Sequence, residues 1–131
     1  MPKATAISIN QQLAKLTFLS NRTPQTTSDE AKGAFASVSD YRDGAIFVGH
    51  YAGNSEWETH PNGDEMVMVM EGETSLILWQ NDVETTNVLN KGELFVVPQG
   101  IWHRFETPKG VKVLVITPQP TTHSLIHPKD L

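Results

Sequence analysis

The chain contains no cysteine, which excludes a disulfide scaffold, a thiolate zinc site and a cysteine nucleophile. It is also short of positive charge: ten Lys and Arg stand against fifteen Asp and Glu, for a formal net charge of −5. Non-specific nucleic-acid affinity comes mostly from clustered Lys and Arg. No such cluster is present, so no nucleic-acid partner is expected. Long hydrophobic runs are missing as well. The longest strictly apolar stretch, Met66 to Met70, falls far short of the roughly 20 residues that span a bilayer, and no membrane partner is expected. Met1 to Asn10 lacks the charged start and apolar run of a leader. These absences leave a cytoplasmic domain as the expectation. At 131 residues such a domain buries roughly two thirds of its unfolded surface, enough for a core without covalent staples. What the chain does have is histidine, five in all.

From Gly44 onward the apolar pattern is that of short strands separated by turn chemistry. Turns are expected at Tyr41 to Gly44, Ala52 to Ser55, Pro61 to Asp64, Glu71 to Glu73, Gln80 to Asp82, Asn90 to Gly92, Pro98 to Gly100 and Pro108 to Gly110, each rich in Gly, Pro, Asn or Asp. The strands between them are Ala45 to Tyr51, Glu56 to His60, Glu65 to Met70, Thr74 to Trp79, Val83 to Leu89, Glu93 to Val97, Ile101 to Glu106 and Val111 to Thr117. Eight short strands at this spacing predict an all-β sandwich, barrel or jelly roll. Before them, Ile7 to Leu19 fits a short helix or an edge strand equally, and Asn21 to Asp29 reads as an irregular connection. The Pro-rich tail after Thr117 reads as an extended segment.

Three places carry candidate chemistry. In an extended Glu56 to His60, residues two apart share a face, so Glu58 and His60 point the same way. After the Pro61 to Asp64 turn, Glu65 stands directly before an apolar run, where a carboxylate is costly to bury unless paired or bound to a cation. His103 follows a Pro-x-Gly turn that delivers it onto the next strand. Two imidazole positions and a carboxylate meeting in this way make a candidate metal-ligand geometry.

These residues resemble the two motifs of the cupin superfamily. The first, Gly, a spacer, His-x-His, Glu and Gly, is matched by Gly53-Asn-Ser-Glu-Trp-Glu58-Thr-His60-Pro-Asn-Gly-Asp-Glu65-Met-Val-Met-Val-Met-Glu-Gly72. The second, Gly, Pro-x-Gly, His and often Asn, is matched by Gly92-Glu-Leu-Phe-Val-Val-Pro98-Gln-Gly100-Ile-Trp-His103-Arg-Phe-Glu-Thr107. The resemblance implies a double-stranded β-helix (jelly-roll) barrel over residues 41–117, with an N-terminal arm or edge segment over 1–40 and a tail over 118–131 packed on the barrel. It also implies a divalent transition metal, Fe, Mn, Ni or Zn, held in the barrel mouth by His60, Glu65 and His103. The sequence departs from the family at the first histidine, where it has Glu58, and at the terminal Asn, where it has Thr107. His60, Glu65 and His103 alone make the facial 2-His-1-carboxylate set that leaves positions open for substrate. Glu58 is then either a fourth ligand, giving a formally neutral site that favours Mn or Fe over Cu, or a catalytic acid or base beside the metal.

The expected function is a metal-dependent oxygenase or isomerase acting on a small organic acid or ketone, with Val67, Val69, Ile101 and Phe105 excluding water. The alternative is a non-catalytic module that binds a small molecule, metal-free or with a structural metal. That alternative is favoured by Glu58 and by the lack of a basic pocket signature such as an arginine pair. If Glu65 points inward, so do Val67 and Val69, while Met66, Met68 and Met70 point outward. Such a stripe needs cover from the N-terminal segment, from a second copy or from both; many cupins pair through such a face, so the resemblance implies a homodimer, with Trp57 and Trp102 adding to the outer surface. His50 is expected to be packed or to support a ligand from behind, and His123 and His127 to be exposed in the tail.

Overall fold

The computed structural model describes residues 4–131. Met1, Pro2 and Lys3, which begin both the expected arm and the stretch read for a leader, lie outside the described residues. A short helix α1 (Ile9–Ala14) is followed by strand β1 (Leu19–Arg22), the one-turn helix α2 (Ser28–Ala31) and strands β2 (Phe35–Tyr41), β3 (Gly44–Asn54), β4 (Trp57–Thr59), β5 (Glu65–Gln80), β6 (Val83–Asn90), β7 (Leu94–Val97), β8 (Trp102–Pro118) and β9 (Thr122–Ser124). The fold is an all-β jelly roll, as the strand pattern predicts. Among the described residues no helix is long and apolar enough to cross a membrane.

The segment left open between helix and strand is both in succession. Ser8 caps α1 by accepting from the Gln11 amide, and β1 then starts at Leu19 and pairs in parallel with β3. Within the stretch read as irregular, β1 runs on to Arg22, and Thr27 and Glu30 form a reciprocal capping box that starts α2. Strands β2 and β9 were not foreseen. The first joins β3 through the Tyr41 to Gly44 turn, and the second pairs with β4.

Three expected turns do not reverse the chain. β3 runs through Ala52 to Asn54, and β3 and β4 both pair antiparallel with β8. At Glu71 to Glu73 and Pro108 to Gly110, β5 and β8 run on and pair in three stretches, Met66 to Val69 against Val113 to Ile116, Glu71 and Gly72 against Lys112 and Val111, and Ser75 to Trp79 against Trp102 to Glu106, with register slips between. Gly72 and Gly110 face each other there at φ +77° and +109°, and a Cβ on Gly72 would collide with the Gly110 carbonyl oxygen. Glycine at these points marks a shared bend in two long strands, not a hairpin. The bend is what carries both strands around the barrel.

Alternation along β5 holds. Val67 and Val69 are fully buried, in one core with Leu76, Leu78, Val97 and Phe105, and each such side chain contributes about 1.5–3 kcal/mol of burial free energy. Met66, Met68 and Met70 lie half-buried on the opposite face, with Leu13 and Ala14 of α1 beside Met70. Trp57 is the exception to the expected outer surface. It is buried because the C-terminal segment covers it: the His127 ring stands edge-on to both Trp57 and Trp79, each at 4.8 Å between centroids. Trp102 stays half-buried.

Candidate metal centre

Cross-strand register assembles the site. Glu58 of β4 pairs directly with His103 of β8, which puts the two side chains on one face. Glu65 opens β5, and the turn between holds His60, whose carbonyl accepts from the Gly100 amide at 3.0 Å. One donor atom from each of Glu58, His60, Glu65 and His103 lies within 4.8 Å of all the others. Glu65 Oε1 is 3.0 Å from His103 Nε2, and Glu65 Oε2 is 3.2 Å from His60 Nε2. Glu58 Oε1 is 3.3 Å from His103 Nε2 and 3.9 Å from His60 Nε2. Donors about 2.1 Å from a common ion stand about 3.0 Å apart as octahedral neighbours and about 4.2 Å apart across it, so these separations fit one ion.

The surrounding hydrogen bonds set which atoms face inward. His103 Nδ1 is 2.9 Å from the Ile101 carbonyl, a partner that can only accept, so Nδ1 carries the proton and Nε2 presents its lone pair when the ring is neutral. Thr121 Oγ1 meets His60 Nδ1 at 2.9 Å, and Thr117 Oγ1 donates to Glu65 Oε2 at 2.6 Å. His60 Nε2 is left buried without a hydrogen-bond partner among the described residues, because its approach to Glu65 lacks hydrogen-bond geometry. Buried orphan polar atoms are rare and costly, and with the proton on Nδ1 toward the Thr121 hydroxyl, Nε2 would present a lone pair that a cation among the two carboxylates satisfies. The donor set therefore fits a divalent ion.

Without an ion, the same groups polarise one another. Burial pushes the Glu65 carboxyl up, but the His103 hydrogen bond and the nearby His60 outweigh it and hold the carboxyl at about 2. Burial pushes His103 down, yet Glu58 and Glu65 reverse this and raise it to about 10. Glu65 and His103 are thus a buried ion pair, 3% and 0% exposed in their side chains.

A cavity of about 180 Å³ opens beside Glu58 and Glu65, walled by Phe35, Phe47, Phe105 and Arg22. Of the four apolar residues expected to line it, only Phe105 does. Val67 and Val69 belong to the core behind it, and Ile101 packs at the edge of that core. Sequence reasoning missed Thr117, Thr121 and the aromatic walls. Thr117 continues the inward parity of Val113 and Val115 and was readable on that ground, whereas Thr121 and Arg22 lie in segments with no periodic pattern. The other histidines stay outside the group. His50 packs on Phe18 with ring centroids 4.7 Å apart, lining a different cavity with Glu71 and Lys112. His123 pairs with Glu56 at 3.0 Å, and His127 with Glu84 at 3.0 Å.

The cupin-domain family model matches residues 48–117, which is more than half of the chain. The chain belongs to the cupin family. Among curated relatives, the uncharacterized protein YdbB of Bacillus subtilis is 34% identical over 73 residues, 56% of this chain and 62% of that protein. Nectarin-1 of Nicotiana plumbaginifolia is 38% identical over 65 residues, 49% of this chain and 25% of that protein. The chain thus spans less than two thirds of either relative. Among solved structures, a cupin-2 domain protein from Shewanella frigidimarina superposes with a TM-score of 0.62 at 21% identity, covering 86% of this chain and 94% of that one. A hydroquinone 1,2-dioxygenase in complex with Cd2+ and 4-hydroxybenzonitrile (TM-score 0.55, 20% identity, 64% and 63% covered) and an oxalate oxidase in complex with the substrate analogue glycolate (TM-score 0.53, 24% identity, 62% and 46% covered) share the fold.

Proposed function

We propose that this cupin is a metal-dependent enzyme, an oxygenase or an isomerase, acting on a small oxygen-bearing organic molecule bound in the cavity beside Glu58. The observation that carries the reading is the buried, partnerless His60 Nε2 pointing at two carboxylates. His60, Glu65, His103 and Glu58 would hold the ion, and two imidazoles with two carboxylates suit Mn, Fe, Ni or Zn. When bound, such an ion supplies Lewis-acid polarisation of a substrate oxygen. The chain's own residues do the rest. Ile101, Thr117 and Thr121 orient the donors, the apolar walls around Phe105 exclude water, and Glu58, the most exposed of the four at 16%, is placed to hold or move a proton at its Oε atoms. The fold shared with an oxalate oxidase and a hydroquinone 1,2-dioxygenase is compatible with this chemistry.

Metal analysis of untagged protein tests this. Stoichiometric Mn, Fe, Ni or Zn is expected, with a fall in melting temperature on chelation. Protein that purifies without metal, and whose melting temperature no added divalent ion raises, overturns the reading and leaves a metal-free binding module.

Pairing of two copies belongs to the same reading. On the outer face Met66 pairs across strands with Val96 and Ile116, and Met68 with Leu94 and Leu114, giving two apolar rows across three strands. Leu94 and Val96 are 55% and 50% exposed, so a second copy seated there would remove both rows from water.

A further inference from the structure

One wall of the cavity has no part in the chemistry above. Arg22 ends β1 and is paired with Gly53. Gly53 has φ +113°, and a Cβ there would collide with the Arg22 carbonyl oxygen, so only glycine lets this strand end approach the barrel mouth. The Arg22 Cζ then stands 4.6 Å from the Tyr51 ring centroid and 5.0 Å from that of Phe35. Among the described residues the arginine–carboxylate ion pairs belong to Arg104, and Arg22 has none. It is a half-buried cation held over aromatic rings, sharing a cavity with Glu58 and Glu65.

Charge and size narrow what this cavity fits. Arg22 is the one cation among the residues lining this cavity, and among the described residues no carboxylate lies within ion-pair distance of it. A charge removed from water calls for a partner, and a guanidinium fork matches a carboxylate in bidentate geometry. A volume of about 180 Å³ is about that of six waters in the liquid and lies below the roughly 300 Å³ where drug-sized sites begin. That is too small for a nucleotide or a sugar nucleotide.

We infer that the cavity takes a small monocarboxylate, its carboxylate on Arg22, its apolar body against Phe35, Phe47 and Phe105, and its far end at the Glu58, His60, Glu65 and His103 cluster. The far end rests on the metal reading, whereas the Arg22 end stands without it.

The experiment is calorimetric titration of the protein, metal-loaded and chelator-treated in parallel, with benzoate and propanoate and with their neutral amides, benzamide and propanamide. Saturable binding of at least one acid with a Kd below about 1 mM is expected, with its amide binding at least about tenfold more weakly, as for loss of a charge-assisted hydrogen bond. Arg22→Gln should weaken the acid about ten- to hundredfold and leave the amide unchanged, and Arg22→Lys should recover part of the loss. The acid-to-amide ratio of the unsubstituted protein needs no variant to fold. An amide that binds as well as its acid, an Arg22→Gln protein that binds the acid undiminished, or no saturable binding of either acid overturns the inference. Metal content, measured on the same samples, decides the metal reading separately, because the Arg22-dependent ratio is read with and without the ion.

Discussion

Two places on this barrel gather histidine and glutamate from different strands, and they differ in what surrounds them. At the mouth, His60, His103, Glu58 and Glu65 converge with no lysine or arginine ion pair to any of them among the described residues. On the other side, His50 and Glu71 line a larger cavity of about 470 Å³, but Lys112 reaches Glu71 at 2.9 Å and Phe18 covers the imidazole. Burial and the Lys112 charge both push His50 down, away from the cationic form. Glu71 is held down by its Lys112 partner and is already satisfied. The larger cavity is therefore the chemically quieter one. What sets the mouth apart is buried donors left without a lysine or arginine partner, and neither the residue types nor the cavity volume supplies that.

The sharpest way to break this contrast is His103→Ala. His103 is fully buried and holds Glu58 and Glu65 together, so its loss strands two carboxylates. Removing one partner of a buried pair costs about 3–5 kcal/mol. Loss of bound metal together with a fall in melting temperature of the order of 10 °C or more is expected, checked by metal analysis and thermal unfolding. Retention of metal at wild-type stoichiometry would remove His103 from the ligand set.

The next effect is a pH dependence that differs with and without metal. In the chelated protein Glu65 is held at about 2, a depressed carboxyl. Its contribution to stability is complete above the unfolded value near 4.5 and is lost as pH falls toward 2. His103 is raised to about 10, so its contribution is complete below about 6.5 and is lost as pH rises toward 10. Both are whole between about pH 4.5 and 6.5, where the chelated protein should melt highest. Bound metal requires a neutral His103, so loaded protein should lose the alkaline decline, and metal uptake at neutral pH should release protons. Melting temperature against pH, with and without chelator, reads both arms. An alkaline slope that is the same in the two samples would rule out His103 as the proton that metal displaces.

Much of the mouth was legible in the sequence, and the reasons are physical. Glu58 and His60 share a parity, Glu65 sits at the head of an apolar strand, and His103 follows a Pro-x-Gly turn, so local rules alone bring all four inward. The Gly72 and Gly110 bends were misread because glycine marks a bulge as readily as a turn, and only the partner strand decides which. Arg22 and Thr121 were invisible for a related reason. Each reaches the site through long-range contacts, Arg22 by pairing with Gly53 and lying over Phe35 and Tyr51, Thr121 by its bond to His60, and neither leaves a periodic trace in sequence.

The smallest expected effect sharpens the contrast from the quiet side. His50→Gln combined with Glu71→Gln removes one imidazole and one carboxylate, the same residue types that His103→Ala and a Glu65 variant would remove. The environments differ: Glu71 is solvent-exposed and paired with Lys112, and His50 is half-buried against Phe18. The exposed pair forms in high dielectric, where salt screens it and side-chain entropy opposes it. The double variant should therefore bind metal at wild-type stoichiometry and melt within a small fraction of the shift that His103→Ala produces. Because the lysine left behind is free to turn to water, the deletion strands no charge. A loss of metal in this variant would mean that the two clusters are coupled through the β5–β8 bend at Gly72 and Gly110, and the lack of a lysine or arginine partner would no longer suffice to explain why only one of them gathers donors around a point.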